Sequence, residues 1–235
     1  MGLIRQFIRT NKRRRKLADR RAIPAVAAAV ELDWESAGGL ERRVYPSYEL
    51  YAEHQKAKLS EKSLVNYDPQ LTAALEARVV ALGLKPASAV LCLGARSGAE
   101  CKAFINLGHF AIGIDLNPGP ENRHVVVGDF HHLQFADASV DVVYTNALDH
   151  AFELGRIFAE VRRVLKPEGR FIADIVDPVG RSGPGDFEAS WWTSIDALAA
   201  EIGKAGFSLA ARRDIDFPFR GAEALFTRAA PAPEG

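Results

Sequence analysis

Residues 90–100, Val-Leu-Cys-Leu-Gly-Ala-Arg-Ser-Gly-Ala-Glu, decide how this chain is read. Val90 to Leu93 is an unbroken apolar run, as a strand covered on both faces requires. Gly94 and Gly98 bracket a tight turn, and Ala99-Glu100 opens a helix. About twenty residues further on, Gly113-Ile114-Asp115-Leu116 is a second apolar strand closed by a carboxylate, the spacing of a Rossmann-type βαβ unit. Glycines in such a turn let the backbone approach a ligand. An acid after the second strand accepts hydrogen bonds from the hydroxyls of a ribose, so the order points to an adenosine-containing ligand.

Working outward, Asp68-Pro69 reads as an N-cap followed by a first-turn proline, with Leu71, Leu75, Val79 and Leu82 at helical spacing up to Gly83. Strands are predicted at 89–93, 110–115, 125–127, 140–145 and 170–176. Helices are predicted at 98–107, ended by Gly108, and at 151–165, stopped by Pro167 and Gly169. A Gly/Pro-rich loop fills 177–192. Thr193-Ser194-Ile195-Asp196 opens another helix ending at Gly206, and 207–212 and 223–228 read as two last strands. Alternation of strands and helices implies a parallel sheet with right-handed crossovers. The last two strands are separated by too few residues for a helical crossover, so they should be antiparallel. The expectation is an α/β, Rossmann-like, mostly parallel seven-stranded sheet with an antiparallel C-terminal hairpin, preceded by an N-terminal helical and basic extension.

The chain has 235 residues and no formal net charge, yet its charge is uneven. Arg5, Arg9, Lys12, Arg13, Arg14, Arg15, Lys16, Arg20 and Arg21 crowd the start, opposed there only by Asp19. Such an arm is attracted to phosphates, of lipid headgroups or of nucleic acid. Apolar positions at Leu3, Ile4, Phe7, Ile8 and Leu17 fit a short amphipathic helix or a disordered basic tail. Residues 44–62 look partly helical and are placed over the site. Cys92 and Cys101 lack metal or redox spacing, which suggests a reduced cytosolic setting. The arm would allow peripheral attachment at the inner membrane surface. The division expected is 1–67, a basic amphipathic arm with an accessory helical segment, and 68–235, the α/β domain.

The chain resembles the class I S-adenosylmethionine-dependent methyltransferases of the type 11 group over about residues 68–228. Four stretches match in order: Val90 to Gly98, Gly113 to Leu116, Gly128-Asp129-Phe130 with Leu133-Gln134-Phe135 and Ser139 to Val143, and Val164 to Phe171. Nicotinamide-dependent reductases are disfavoured because Gly94-x-x-x-Gly98 lacks the full G-x-G-x-x-G pattern. Two departures stand out: Cys92 where the family often has an acid, and Arg96 where a second glycine is common.

The resemblance implies S-adenosylmethionine as cofactor. Gly94, Ala95, Arg96 and Gly98 would form the loop against its methionine part, Asp115 with Leu116 would hold the ribose, and Asp129 with Phe130 would hold the adenine. Asn146 would border the sulfonium. Arg96 would pair with the methionine carboxylate; the alternative is an exposed arginine in a degraded loop. His150 is the first choice of general base and His131 the second, unless these histidines cap helices or bond loop backbone. Asp149, Asp177, Arg181, Trp191 and Trp192 would line an acceptor pocket, although aromatic pairs are as often ordinary packing. No metal is expected. The implied function is methyl transfer to an unidentified small-molecule or lipid-linked acceptor. Anionic membrane would be a partner through residues 1–21, and RNA a less favoured one. The alternative is an inactive methyltransferase-like scaffold recruited to anionic surfaces.

Overall fold

A computed structural model describes residues 33–58, 66–119 and 122–229. The basic arm expected over residues 1–21 lies outside them. The main sheet holds seven strands: β3 (Ala89–Leu93), β4 (Phe110–Asp115), β5 (Val125–Val127), β6 (Val140–Thr145), β7 (Leu165–Val176), β9 (Phe207–Ile215) and β10 (Gly221–Arg228). Their order is β5-β4-β3-β6-β7-β10-β9. The pairs β3/β4, β3/β6, β4/β5 and β6/β7 are parallel, and β10 is antiparallel to both β7 and β9. This is the Rossmann-like sheet with an antiparallel C-terminal hairpin that the strand spacing predicts.

Helices cover the sheet because their apolar residues recur on one side. α2 (Tyr67–Val80) buries Leu71, Leu75 and Val79, and α4 (Leu154–Val164) buries Leu154, Ile157, Phe158, Val161 and Val164. α3 (Ala99–Asn106) follows the glycine turn, and α5 (Ile195–Lys204) begins at Ser194, whose side chain accepts from the Ala197 amide. Among the described residues no helix is long and apolar enough to cross a membrane.

Several boundaries differ from the sequence reading. α2 starts at Tyr67 behind Asn66, so Asp68 sits inside the first turn and makes no cap; one of its carboxylate oxygens is buried without a partner. The helix expected from residue 151 begins at Leu154, after a single 3-10 turn at Leu148–His150. It passes directly into β7, so Pro167 and Gly169 lie within that strand rather than ending the helix.

A second, three-stranded antiparallel sheet was not expected: β1 (Trp34–Ala37), β2 (Leu40–Arg43) and β8 (Ser190–Trp192), in the order β1-β2-β8. Its turn is Gly38-Gly39, both at positive φ (+61° and +84°), which is what a two-residue hairpin of the primed type demands. β8 falls in the segment read as loop. Pairing β2 with β8 fixes the chain that leads into α1 (Tyr48–Lys56). α1 is capped by Ser47 and turns Tyr51 and His54 inward.

Candidate active site

The chain leaves β3 towards β4 on one side and returns through β6 on the other. The carboxyl ends of the strands separate there, and open α/β sheets bind ligands in that crevice. Gly94 after β3, Asp115 closing β4 and Asn146 after β6 line one cavity. Gly94 has φ +66°, and a Cβ on it would lie 2.7 Å from that of Ala147, also in the lining. Only glycine keeps this floor open.

Among the described residues, Asp115 is held by backbone alone. One carboxylate oxygen accepts from the Arg96 amide at 3.1 Å and the other from the Asn117 amide at 2.8 Å. A carboxylate has about four lone-pair directions, so both oxygens keep one to offer the cavity. Arg96, at φ +44°, has its guanidinium 5.7 Å from the centre of the Tyr67 ring, and both residues line the cavity. Asn146 donates to the buried Glu100 at 3.2 Å. Burial pushes that carboxyl up to about 7. Ile114, Leu116, Phe130 and Phe219 provide apolar walls.

α1 and the residues after it form the roof through Tyr51, Gln55 and Lys58. The Tyr51 hydroxyl donates to the His150 carbonyl at 2.9 Å, and Gln55 donates to the Phe187 carbonyl at 2.8 Å. His150 Nδ1 sits 3.0 Å from that same Phe187 carbonyl, which can only accept, so Nδ1 carries the proton. Nε2 is left as an acceptor, and Lys58 Nζ donates to it. Burial lowers the His150 pKa and brings Lys58 down to about 8.

Of the residues expected at the cofactor, Gly94, Arg96, Asp115, Leu116, Phe130 and Asn146 line the cavity; so do Asp149 and His150. Ala95 is buried beneath it, where a Cβ on Gly113 would come within 2.7 Å, and Gly98 is the residue before α3. Neither belongs to the lining.

Asp129 and His131 depart from expectation. Neither lines the cavity. One Asp129 oxygen accepts from the His131 amide and from its Nδ1, each at 2.8 Å, and the other accepts from the Tyr48 hydroxyl. His131 Nε2 accepts from the amides of Phe152 and Glu153, each at 3.1 Å. Both ring nitrogens are therefore consumed in ordering loops, and this imidazole is a strut rather than a base. Burial alone would raise the Asp129 carboxyl, but the hydrogen bonds from His131 and Tyr48 outweigh it and hold it at about 2.

This network has a consequence for acid stability. A carboxylate whose pKa is depressed in the folded state contributes stability above its ordinary value of 3.8 and loses it as the pH falls towards about 2. Tyr48→Phe removes one donor. It is expected to cost about 1 kcal/mol at neutral pH and to move the acid-unfolding midpoint to higher pH, as read by circular dichroism. An unchanged midpoint would contradict the network.

The other acceptor-pocket expectations are corrected. Trp191 and Trp192 are 5% and 1% exposed and stack in the core, with ring centres 5.9 Å apart. The Trp192 indole N–H donates to the Val176 carbonyl at 2.8 Å. Arg181 lies 5.5 Å from the Trp191 ring, and Asp177 pairs with Arg220 at 2.8 Å. None of the four lines the cavity, because β8 pairs with β2 and turns both indoles into the core. Conversely, Lys58, Tyr67, Asn117 and Phe219 join the lining without having been picked out in the sequence. Among the described residues no three His, Cys, Asp or Glu side chains converge as a metal site would need.

Residues 91–173, which span the glycine turn, Asp115 and Asn146, match the family model of the methyltransferase domain. Over that span the chain is similar to methyltransferase domains. A malonyl-[acyl-carrier protein] O-methyltransferase of Methylovorus sp. is 39% identical over 61 residues, covering 26% of this chain and 21% of that one. An arsenite methyltransferase of Halobacterium salinarum is 30% identical over 154 residues, covering 53% and 38%. The chain thus spans well under half the length of these curated relatives. The likeness of fold extends further: the crystal structure of a Burkholderia thailandensis 1,6-didemethyltoxoflavin-N1-methyltransferase, with 1,6-didemethyltoxoflavin and S-adenosylhomocysteine bound, superposes with a TM-score of 0.60. That match covers 86% of this chain and all of the other at 17% identity, a likeness of fold.

Proposed function

We propose that this domain transfers a methyl group from S-adenosylmethionine to a small-molecule or lipid-linked acceptor. One observation carries the reading: within the span similar to methyltransferase domains, Asp115, each of whose carboxylate oxygens is engaged by a single backbone amide, lines a cavity at the open ends of β3, β4 and β6. The cavity's own chemistry fits the donor. Asp115 suits two ribose hydroxyls, the walls from Ile114, Leu116 and Phe130 suit a purine face, and the Arg96 guanidinium suits a carboxylate. The gap kept open by Gly94 against Ala147 is one that a Cβ would fill.

When bound, the donor supplies a methyl group on a cationic sulfur, open to displacement by an aligned nucleophile. Asp115 orients the nucleoside, Arg96 anchors the opposite end, and Asn146, held by Glu100, borders the reacting centre. Asp129 acts at one remove. By fixing the Tyr48 and His131 side chains it sets the loop from which Phe130 walls the cavity. The acceptor enters beside Asp149, His150 and Lys58. Titration calorimetry with S-adenosylmethionine tests the reading: sub-millimolar binding is expected, and no heat at millimolar donor would leave a scaffold that has lost the cofactor.

The named relatives act on a carrier-linked acid, arsenite and, in Gibberella zeae, a sterol. A small or lipid-linked acceptor is consistent with that range. For this chain the lipid reading rests on the basic residues 1–21, which would place the enzyme peripherally on an anionic cytoplasmic surface. Deleting them is expected to weaken binding to phosphatidylserine vesicles on the order of tenfold or more, each basic residue near the surface contributing ~1 kcal/mol. Unchanged vesicle binding with reduced RNA binding would favour nucleic acid instead.

A further inference from the structure

His150 is the base that the sequence recommends, but its ring is fully engaged. Nδ1–H is donated to the Phe187 carbonyl and the Nε2 lone pair is taken by Lys58. No electron pair on the imidazole faces the cavity. Lys58 does: its side chain lines the cavity with Asp149 and Asn146, and among the described residues its one hydrogen bond is to His150. An amine nitrogen that donates one N–H to a fixed imidazole keeps its other directions for a ligand.

We propose that Lys58 Nζ takes the proton from the attacking oxygen or nitrogen of the acceptor, and that His150 is the positioning residue that aims it. This rests on the methyl-transfer reading above. As the acceptor heteroatom bonds to the methyl carbon, the carbon–sulfur bond breaks and its electron pair stays on sulfur. The heteroatom's proton passes to Nζ, and the ammonium returns it to solvent after product leaves. The acceptor therefore belongs to the hydroxyls or amines that must lose a proton, rather than to nucleophiles that carry none.

The surroundings suit a lysine that spends part of its time neutral. Burial brings it to about 8, with Arg96 beyond β3 acting in the same sense. Asp149 after β6, Glu188 before β8 and Asp115 on β4 pull the other way and hold the ammonium once formed. A base is most effective when its pKa lies near the working pH. The two tyrosines of the lining are poorer candidates. The Tyr51 hydroxyl is committed to the His150 carbonyl and raised by burial, and burial raises Tyr67 to about 12.

The first test needs neither donor nor acceptor. Competitive acetylation of the full chain with acetic anhydride across pH, read by mass spectrometry, is expected to give a midpoint for Lys58 near 8. A midpoint at the ordinary 10.5 would overturn the proposal. The second uses methyl-labelled S-adenosylmethionine with a panel of phenols, alcohols and amines. Lys58→Arg keeps the charge but cannot accept a proton, so kcat should fall about a hundredfold or more while donor affinity by calorimetry stays within about twofold. Turnover within about threefold of wild type would show that only the charge matters and would overturn it. Wild-type kcat should rise with pH through about 8, and Lys58→Arg should lose that rise. Failure of the donor to bind would sink the proposed function, whereas a high acetylation midpoint with donor binding intact sinks only the role of Lys58.

Discussion

Asp174→Ala is expected to destabilise the protein by about 3–5 kcal/mol, because it strips the partner from a buried charge. Asp174 lies on β7 and is 2% exposed. Its two oxygens take a fork of hydrogen bonds from Arg78 of α2, at 2.8 and 2.7 Å, and a third bond from the Tyr144 hydroxyl at 2.7 Å. Glu223 sits opposite it on β10 and binds Arg78 as well, at 3.0 Å. Removing the Asp174 carboxylate leaves a largely buried guanidinium and a fully buried phenol with too few acceptors. The neighbouring Glu223 compensates only in part, since it already serves Arg78 and Arg213. Urea unfolding measures the loss, and a change below about 1 kcal/mol would show that the cluster is solvated. No residue of the cluster belongs to the cavity lining, so Asp174→Asn, which keeps the shape, should bind the methyl donor normally wherever it remains folded.

The second large effect is on binding. Asp115→Ala should weaken S-adenosylmethionine by ~1.5–3 kcal/mol, roughly 10- to 150-fold, the loss of a charged acceptor for two hydroxyls. The variant also frees the amides of Arg96 and Asn117, which Asp115 now ties down, so the turn that presents Arg96 should loosen. The two contributions separate experimentally. Adenosine, which lacks the methionine carboxylate, should lose only the hydroxyl contribution, whereas the full donor should lose both. Calorimetry with the two ligands reads the difference, and an unchanged donor affinity would remove the ribose assignment.

The five strands that cross or flank the crevice were readable because their signal is local. Val90 to Leu93 and Val142 to Tyr144 are apolar without alternation, as a strand covered on both faces requires. Gly94, Asp115 and Asn146 followed from them, since a residue at the end of a parallel strand has no other place to be. The hairpin at β1 and β2 also leaves a mark, Gly38-Gly39, but its flanking strands are short and largely exposed, so no apolar run points to it.

The rest depended on distance in the chain. Asp115 and Asp129 are the same residue type at the ends of neighbouring strands, and the sequence assigns both to one nucleoside. Among the described residues Asp115 meets only nearby backbone amides, and it lines the cavity. Asp129 meets a tyrosine 81 positions away, together with His131, and its carboxylate is used up. Trp191 and Trp192 were turned inward by pairing with β2, and Lys58 and Phe219 were brought to the cavity by elements from opposite ends of the chain. By itself the sequence determined the sheet, its crevice and the acid that lines it, because hydrophobic period and turn chemistry act over a few residues. Which polar side chains remain available for chemistry was decided only by tertiary structure, because a hydrogen-bonding group is free or spent according to partners that folding alone brings within 3 Å.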